Sequence, residues 1–148
     1  MVNNEIKRIN YSHQKTRLKI ALESKFYVEA IAIEYVIIED RINSIFAHTN
    51  QPFHYKDGKP YKFQKRLDIL KDNPFFTEKE MRKRLPRKLL LEIEEWKESR
   101  NKIIHNLLNE EFESGEFRRL ATKGKKLLDQ IDNKSRSIKD YMKKLAKE

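Results

Sequence analysis

One stretch restricts the fold of this chain more than any other. From about Ser24 to Ala47, apolar side chains recur around almost the whole circumference of a helix: Phe26, Tyr27, Ala30, Ile31, Ile33, Tyr35, Val36, Ile37, Ile38, Ile42, Ile45 and Phe46. The β-branched residues among them also suit a strand, but the run is too long for one and argues helix. A helix that is apolar on nearly every side belongs at the centre of a core or in a subunit contact. It does not suit a bilayer. Its most apolar part, Ala30 to Ile38, is broken by Glu34 and is shorter than the roughly 20 residues that a span needs.

The segments around it also read as helices. About Asn4 to Lys19 is a weaker one, with Ile6, Ile9, Leu18 and Ile20 as sparse apolar positions. His48 to Lys62 holds Asn50, Pro52, Asp57-Gly58 and Pro60, and is the main loop. A short helix follows from Phe63 to Leu70, with Phe63, Leu67 and Leu70 on one face. Asn73-Pro74 stops it, because a residue before proline avoids helical backbone. Thr77-Glu78-Lys79-Glu80 has the form of a capping box for another short helix, which ends near Leu85-Pro86. Pro86 is suited to open the next helix, which runs to about Leu108 with Leu89, Leu90, Ile93, Trp96, Ile103, Ile104 and Leu107 as its stripe. Asn109 and the Glu-rich run after it end that helix. A last helix spans about Glu116 to Leu145, weakened locally by Gly124. With only 3 Gly and 4 Pro there is little turn chemistry for an all-β fold. The expectation is an all-α, single-domain helical bundle over residues 1–148.

Lys and Arg total 33 against 23 Asp and Glu, a formal charge of +10, which favours an anionic partner, RNA first. The chain has no cysteine, so disulfides, thiolate metal sites and cysteine nucleophiles are excluded. The polar N-terminus lacks the apolar core of a signal peptide, which predicts a cytoplasmic protein. His13, His48 and His54 show no ligand spacing with nearby carboxylates, and there is neither a Gly-rich phosphate loop nor a serine-nucleophile motif. No metal and no cofactor is expected.

The chemistry concentrates in EWKESRNKIIHNLLN, where Arg100, Asn101 and His105 interrupt apolar turns. Asn101 and His105 are four residues apart and share a helical face. Arg100 lies about 140° from His105 on an ideal helix, a gap its long side chain or a local distortion would have to close. A two-fold dimer placing two copies of this helix side by side would gather all three residues from both chains in one cleft. Histidine moves protons near neutral pH, arginine offers a permanent planar fork to a phosphate, and asparagine orients either partner. Together they suit RNA cleavage by the RNA's own 2′-hydroxyl, a route that needs no metal.

Arg100 followed by Asn101 and, four intervening residues after the arginine, His105 resembles the signature of the HEPN superfamily. That resemblance covers one helix closely and the rest of the chain only in its helical plan and size. It implies a helical bundle, a homodimer and metal-independent endoribonuclease activity of the toxin–antitoxin or abortive-infection kind, with a cognate antitoxin as a further partner. His105 would be the general acid/base, Arg100 the phosphate and transition-state stabiliser, and Asn101 the orienting group. Some members have lost catalysis, so the alternative is a non-catalytic module binding RNA, a nucleotide or a protein. An acidic residue on an earlier helix supports the site in some members, which makes Glu34 a candidate to hold Arg100 or orient His105.

Other readings of these residues compete. Glu34, costly to bury alone, also suits an ion pair with Arg41, seven residues on. Glu39 and Asp40 are weaker acidic candidates. Tyr55, Lys59, Tyr61, Lys62, Lys65 and Arg66 interleave aromatic faces with cations, a pattern suited to unpaired bases and phosphates, and equally to a solvated loop tucked onto the core. The cations of the last helix, Arg118, Arg119, Lys123, Lys125, Lys126, Lys134, Arg136, Lys139, Lys143, Lys144 and Lys147, form either a backbone-tracking surface or a solvated face.

Overall fold

The computed structural model describes residues 4–107 and 114–148, excepting the side chains of residues 4 and 114. Its elements are α1 (Asn4–Glu23), α2 (Tyr27–His48), α3 (Phe63–Asp72), α4 (Pro74–Thr77), α5 (Lys79–Arg84), α6 (Arg87–His105) and α7 (Ser114–Lys147). Among the described residues there is no strand, only an isolated antiparallel bridge between His54 and Pro60 in the loop before α3. The protein is an all-α helical bundle. No described helix is long and apolar enough to cross a membrane. α6 is assigned to His105, and Leu108, Asn109 and the start of the Glu-rich run lie outside the described residues.

Pairwise contacts fix the helix directions. Lys7 meets Asp40 and Arg17 meets Glu29, so α1 runs antiparallel to α2. Arg41 faces Asp132 and Glu34 faces Gly124, so α2 and α7 run the same way. The Trp96 indole N–H donates to the Leu120 carbonyl at 2.9 Å and Lys123 meets Glu92, so α6 runs back against α7. The short helices α3 to α5 fill the crossover from α2 to α6. One cluster of buried side chains joins all of these, with Ile38, Ile42, Ile45 and Phe46 of α2 fully buried in it. The covering of α2 is incomplete, however: Phe26 just before it and Val36 within it are 59% and 60% exposed. In α1, Leu18 and Ala21 are buried, whereas Ile6, Ile9 and Ile20 point outward.

Chain turns follow local chemistry. Lys25 (φ 62°) and Asn50 (φ 56°) take the left-handed conformation after α1 and α2, and the amide of the next residue reaches back five residues in each case. These are Schellman closures, for which Asn is a suitable residue and Lys a less suitable one. The capping box expected at Thr77 is not formed. Asn73 caps a one-turn helix starting at Pro74, and this helix takes in Thr77, whose hydroxyl donates to the Pro74 carbonyl. Glu78 then caps α5, accepting from the amides of Glu80 and Met81. Pro86 occupies the cap position of α6.

Two expectations about the core are corrected together. Gly124 is not merely a weak point of α7. A Cβ there would lie 2.7 Å from Trp96 Cζ2 and would overlap the Glu34 carboxyl, so only glycine allows α7 so close to α2 and α6. Glu34 pairs neither with Arg41 nor with Arg100. Arg41 bonds Asp40 and faces Asp132, while Glu34 is fully buried and neither of its oxygens has a hydrogen-bond partner among the described residues. Burial pushes its carboxyl pKa up to about 9; the charge of Lys125 partly opposes this and that of Asp129 adds to it. Near neutral pH the group is therefore a neutral acid, the form least costly to bury.

A testable consequence follows from the sign of that shift. The folded state keeps a proton that the unfolded state loses near 4.5, so this stabilisation is full below that value and gone above about 9. Denaturant unfolding from pH 5 to 9 should show wild type losing about 1.4 kcal/mol per pH unit relative to Glu34→Gln, whose amide does not titrate. Parallel profiles for the two proteins would place a charged, compensated Glu34 in the core.

Candidate functional site

The motif lies in the last turns of α6, at the end of the bundle shared with the starts of α2 and α7. α6 stays helical through it, so no local distortion brings Arg100 round to His105. The structure brings two of the three residues together. Arg100 Nη1 donates to Asn101 Oδ1 at 2.9 Å. The His105 side chain is exposed, and among the described residues no side-chain hydrogen bond joins it to either of them. Ile103 and Ile104 are half-buried and Leu107 is 41% exposed, so apolar surface surrounds the polar trio.

Among the described residues, Arg100 is held by an aromatic ring and by no carboxylate. Its guanidinium carbon lies 4.1 Å from the centroid of Tyr35, a cation–π geometry. Its Nε is buried and has no hydrogen-bond partner among the described residues. Tyr35 is itself packed by Phe63, with centroids 5.4 Å apart, and by Trp96, at 6.4 Å and nearly parallel. Burial raises the Tyr35 hydroxyl pKa, and the charge of Glu39 raises it further against the opposing charges of Arg100 and Arg66. The ring thus stays a neutral phenol beneath the cation.

Tyr35 is the site residue that the sequence did not reveal, since it reads as one more apolar position of α2. A signal existed on the motif helix: Trp96 and Arg100 are four residues apart and share a face, so a large flat partner opposite both was to be sought. Glu34 sits one residue away from that partner but turns to Gly124 and Trp96, and takes no part in holding Arg100. Glu39 is engaged with Arg66, and Asp40 with Lys7 and Arg41.

The aromatic–basic loop is partly withdrawn from any ligand. Arg66 is only 4% exposed. It bonds Glu39 at 2.5 Å, the Asn43 side chain and the Tyr61 carbonyl at 3.1 Å, so it is a structural residue and not an RNA contact. Lys65 Nζ lies 4.3 Å from the Tyr55 ring centroid and 4.0 Å from that of Tyr61, and the two rings meet edge-on at 4.7 Å. These three residues satisfy one another. Lys59 and Lys62 are exposed and carry no ion pair among the described residues. Phe63, the first residue of α3, packs on Tyr35 and brings this segment beside the ring that carries Arg100. Among the described residues no three His, Asp or Glu side chains gather in a metal-holding arrangement.

No family model, no curated protein and no solved structure matches the chain. The geometry of the site and the motif it carries are what a functional reading rests on.

The Tyr35–Arg100 contact is open to a double-mutant cycle. With Tyr35→Leu, Arg100→Met and the double variant, denaturant unfolding should give a coupling of about 0.5–2 kcal/mol, the range for a partly desolvated cation–π pair. Additive effects would mean that the stacking does not hold the arginine.

Proposed function

We propose that this protein is a metal-independent endoribonuclease of the HEPN type, acting as a homodimer in a defence or toxin–antitoxin system. The observation that carries this reading is the Arg100–Asn101 pair, oriented on the Tyr35 ring within about one and a half turns of an exposed His105. A guanidinium already placed by packing meets a phosphate with little further ordering.

In the proposed reaction one His105 accepts the proton of a ribose 2′-hydroxyl. The oxygen attacks the adjacent phosphorus, the P–O5′ bond breaks, and the leaving 5′-oxygen takes up the proton that the same His105 has accepted. The products are a 2′,3′-cyclic phosphate and a 5′-hydroxyl, with no net oxidation or reduction. Arg100 neutralises the extra charge on the phosphoryl oxygens, and Asn101 orients the arginine. The separation of His105 from the Arg100–Asn101 pair within one chain favours a composite site, and the apolar surface around it, Leu107 above all, is what a second copy would cover. A cognate antitoxin would be expected to cover the same cleft.

A second reading, a non-catalytic module that binds RNA, a nucleotide or a protein, draws on the same separation: a site that never closes would bind phosphate without cutting. Incubation of a mixed, end-labelled RNA pool with wild type and His105→Ala in EDTA distinguishes the two. Cleavage by wild type alone, with cyclic-phosphate ends, is the expected outcome, and loss should exceed 100-fold in the variant. Equal cleavage by both would remove His105 from the chemistry. Saturable binding without cleavage by folded wild type would favour the binding module.

A further inference from the structure

A second feature of the molecule lies away from Arg100, Asn101 and His105. The outer face of the first half of α7 and the groove it forms with the start of α6 concentrate positive charge. Lys88 of α6 lines this groove with Lys126 and Lys134 of α7, alongside Gln130 and Asn133. Toward the N-terminus of α7, Arg118 and Arg119 continue the same face up to Lys126.

Charge pairing leaves much of this surface uncompensated. Glu92 bonds Lys123 at 3.0 Å, and Asp129 bonds Lys125 at 2.6 Å. The hydrogen bond from Lys123 is the main cause of the lowered Glu92 pKa; burial opposes it, and the charges of Lys123, Lys88 and Lys126 add to it. Several ammonium groups thus converge on one carboxylate. Arg118, Arg119, Lys126, Lys134 and Lys88 form no ion pair among the described residues. From Arg118 to Lys134 the row extends about 24 Å along a straight helix axis.

The lining of the groove selects the kind of ligand. It holds lysine stems, two side-chain amides, Pro86, the nearly buried Leu89 and one carboxylate, Glu92, which is occupied by Lys123, and it has no aromatic ring. A protein partner would want a pocket for an aromatic or aliphatic anchor, and bases would want a ring to stack on. A row of cations and amides without either matches phosphates at regular spacing, contacted without reading sequence. We propose that the α6–α7 groove and the adjoining face of α7 bind the phosphodiester backbone of a nucleic-acid strand, as a track separate from the motif at the end of α6. The track acts through charge alone, so it holds a strand whether or not the motif cuts it.

The test uses probes that cannot be cleaved by 2′-hydroxyl attack: a fluorescent single-stranded DNA and a 2′-O-methyl RNA of the same sequence. Anisotropy titrations over a range of salt compare wild type with the triple variant Lys88→Gln, Lys126→Gln, Lys134→Gln. A control triple, Lys139→Gln, Lys143→Gln, Lys147→Gln, removes the same charge from the other end of α7. The groove variant should bind both probes at least tenfold more weakly, with a salt slope shallower by about 2, as expected for three lost single-strand phosphate contacts. The control should stay within twofold of wild type, and arginine at the three groove positions should retain binding. Equal weakening by both glutamine triples would reduce the effect to net charge and overturn the track, as would no weakening by the groove triple or no binding by wild type. Because neither probe can be cut, failure of ribonuclease activity does not affect this result.

Discussion

The close approach of α7 to α2 and α6 at Gly124 is the contact on which the rest of the arrangement depends. Where another residue would place a Cβ, the Glu34 carboxyl and the Trp96 ring are found. One turn earlier in α7, the Leu120 carbonyl accepts the Trp96 indole N–H, which fixes the tilt of that ring. Trp96 lies nearly parallel to Tyr35, and Tyr35 carries Arg100. A missing side chain in one helix is thereby connected, through two aromatic rings, to the placement of a guanidinium on another. Enlarging Gly124 would press on the Glu34 carboxyl and on Trp96, and through that ring on the arginine.

Around that junction the bundle handles its polar groups in two ways. Glu34 is buried alone and stays protonated, which avoids burying a charge. Asp132, also buried, is compensated by cations from three helices: Lys15 of α1 at 3.6 Å, Arg41 of α2 at 3.7 Å and Arg136 of its own helix at 3.1 Å. The Tyr11 ring lies between Lys15 and Arg41 and adds to the seat of α1. This polar seat explains how α1 stays attached while three of its isoleucines face outward. Their exposure leaves that face without a partner in the single chain.

The helical plan was legible because it is written in short-range patterns. The run from Ser24 to Ala47 became α2 within a few residues, and the last helix was found two residues longer at each end than Glu116 to Leu145. The motif was legible too, since Arg100, Asn101 and His105 lie within one and a half turns of each other. What could not be read was any feature made by residues far apart in the chain. The partner of Arg100 lies 65 positions away at Tyr35, and the reason for Gly124 lies at positions 34 and 96. Arg66 looked like one cation of a basic loop because its carboxylate partner, Glu39, belongs to another helix. The cap of α5 shifted from Thr77 to Glu78 because Asn73-Pro74 starts a helix as well as stopping one.

A single chain orients Arg100 and Asn101 but leaves His105 apart, and the proposed ribonuclease would therefore draw its working site from two copies. Complementation between inactive variants tests it most directly. Arg100→Ala and His105→Ala proteins are unfolded together, refolded as a mixture and assayed for RNA cleavage. If Arg100 of one subunit works with His105 of the other, half of the dimers are mixed and each contains one intact site, so the mixture should recover about a quarter of wild-type activity. A mixture as inactive as its components, with mixed dimers present, would contradict a site shared between subunits.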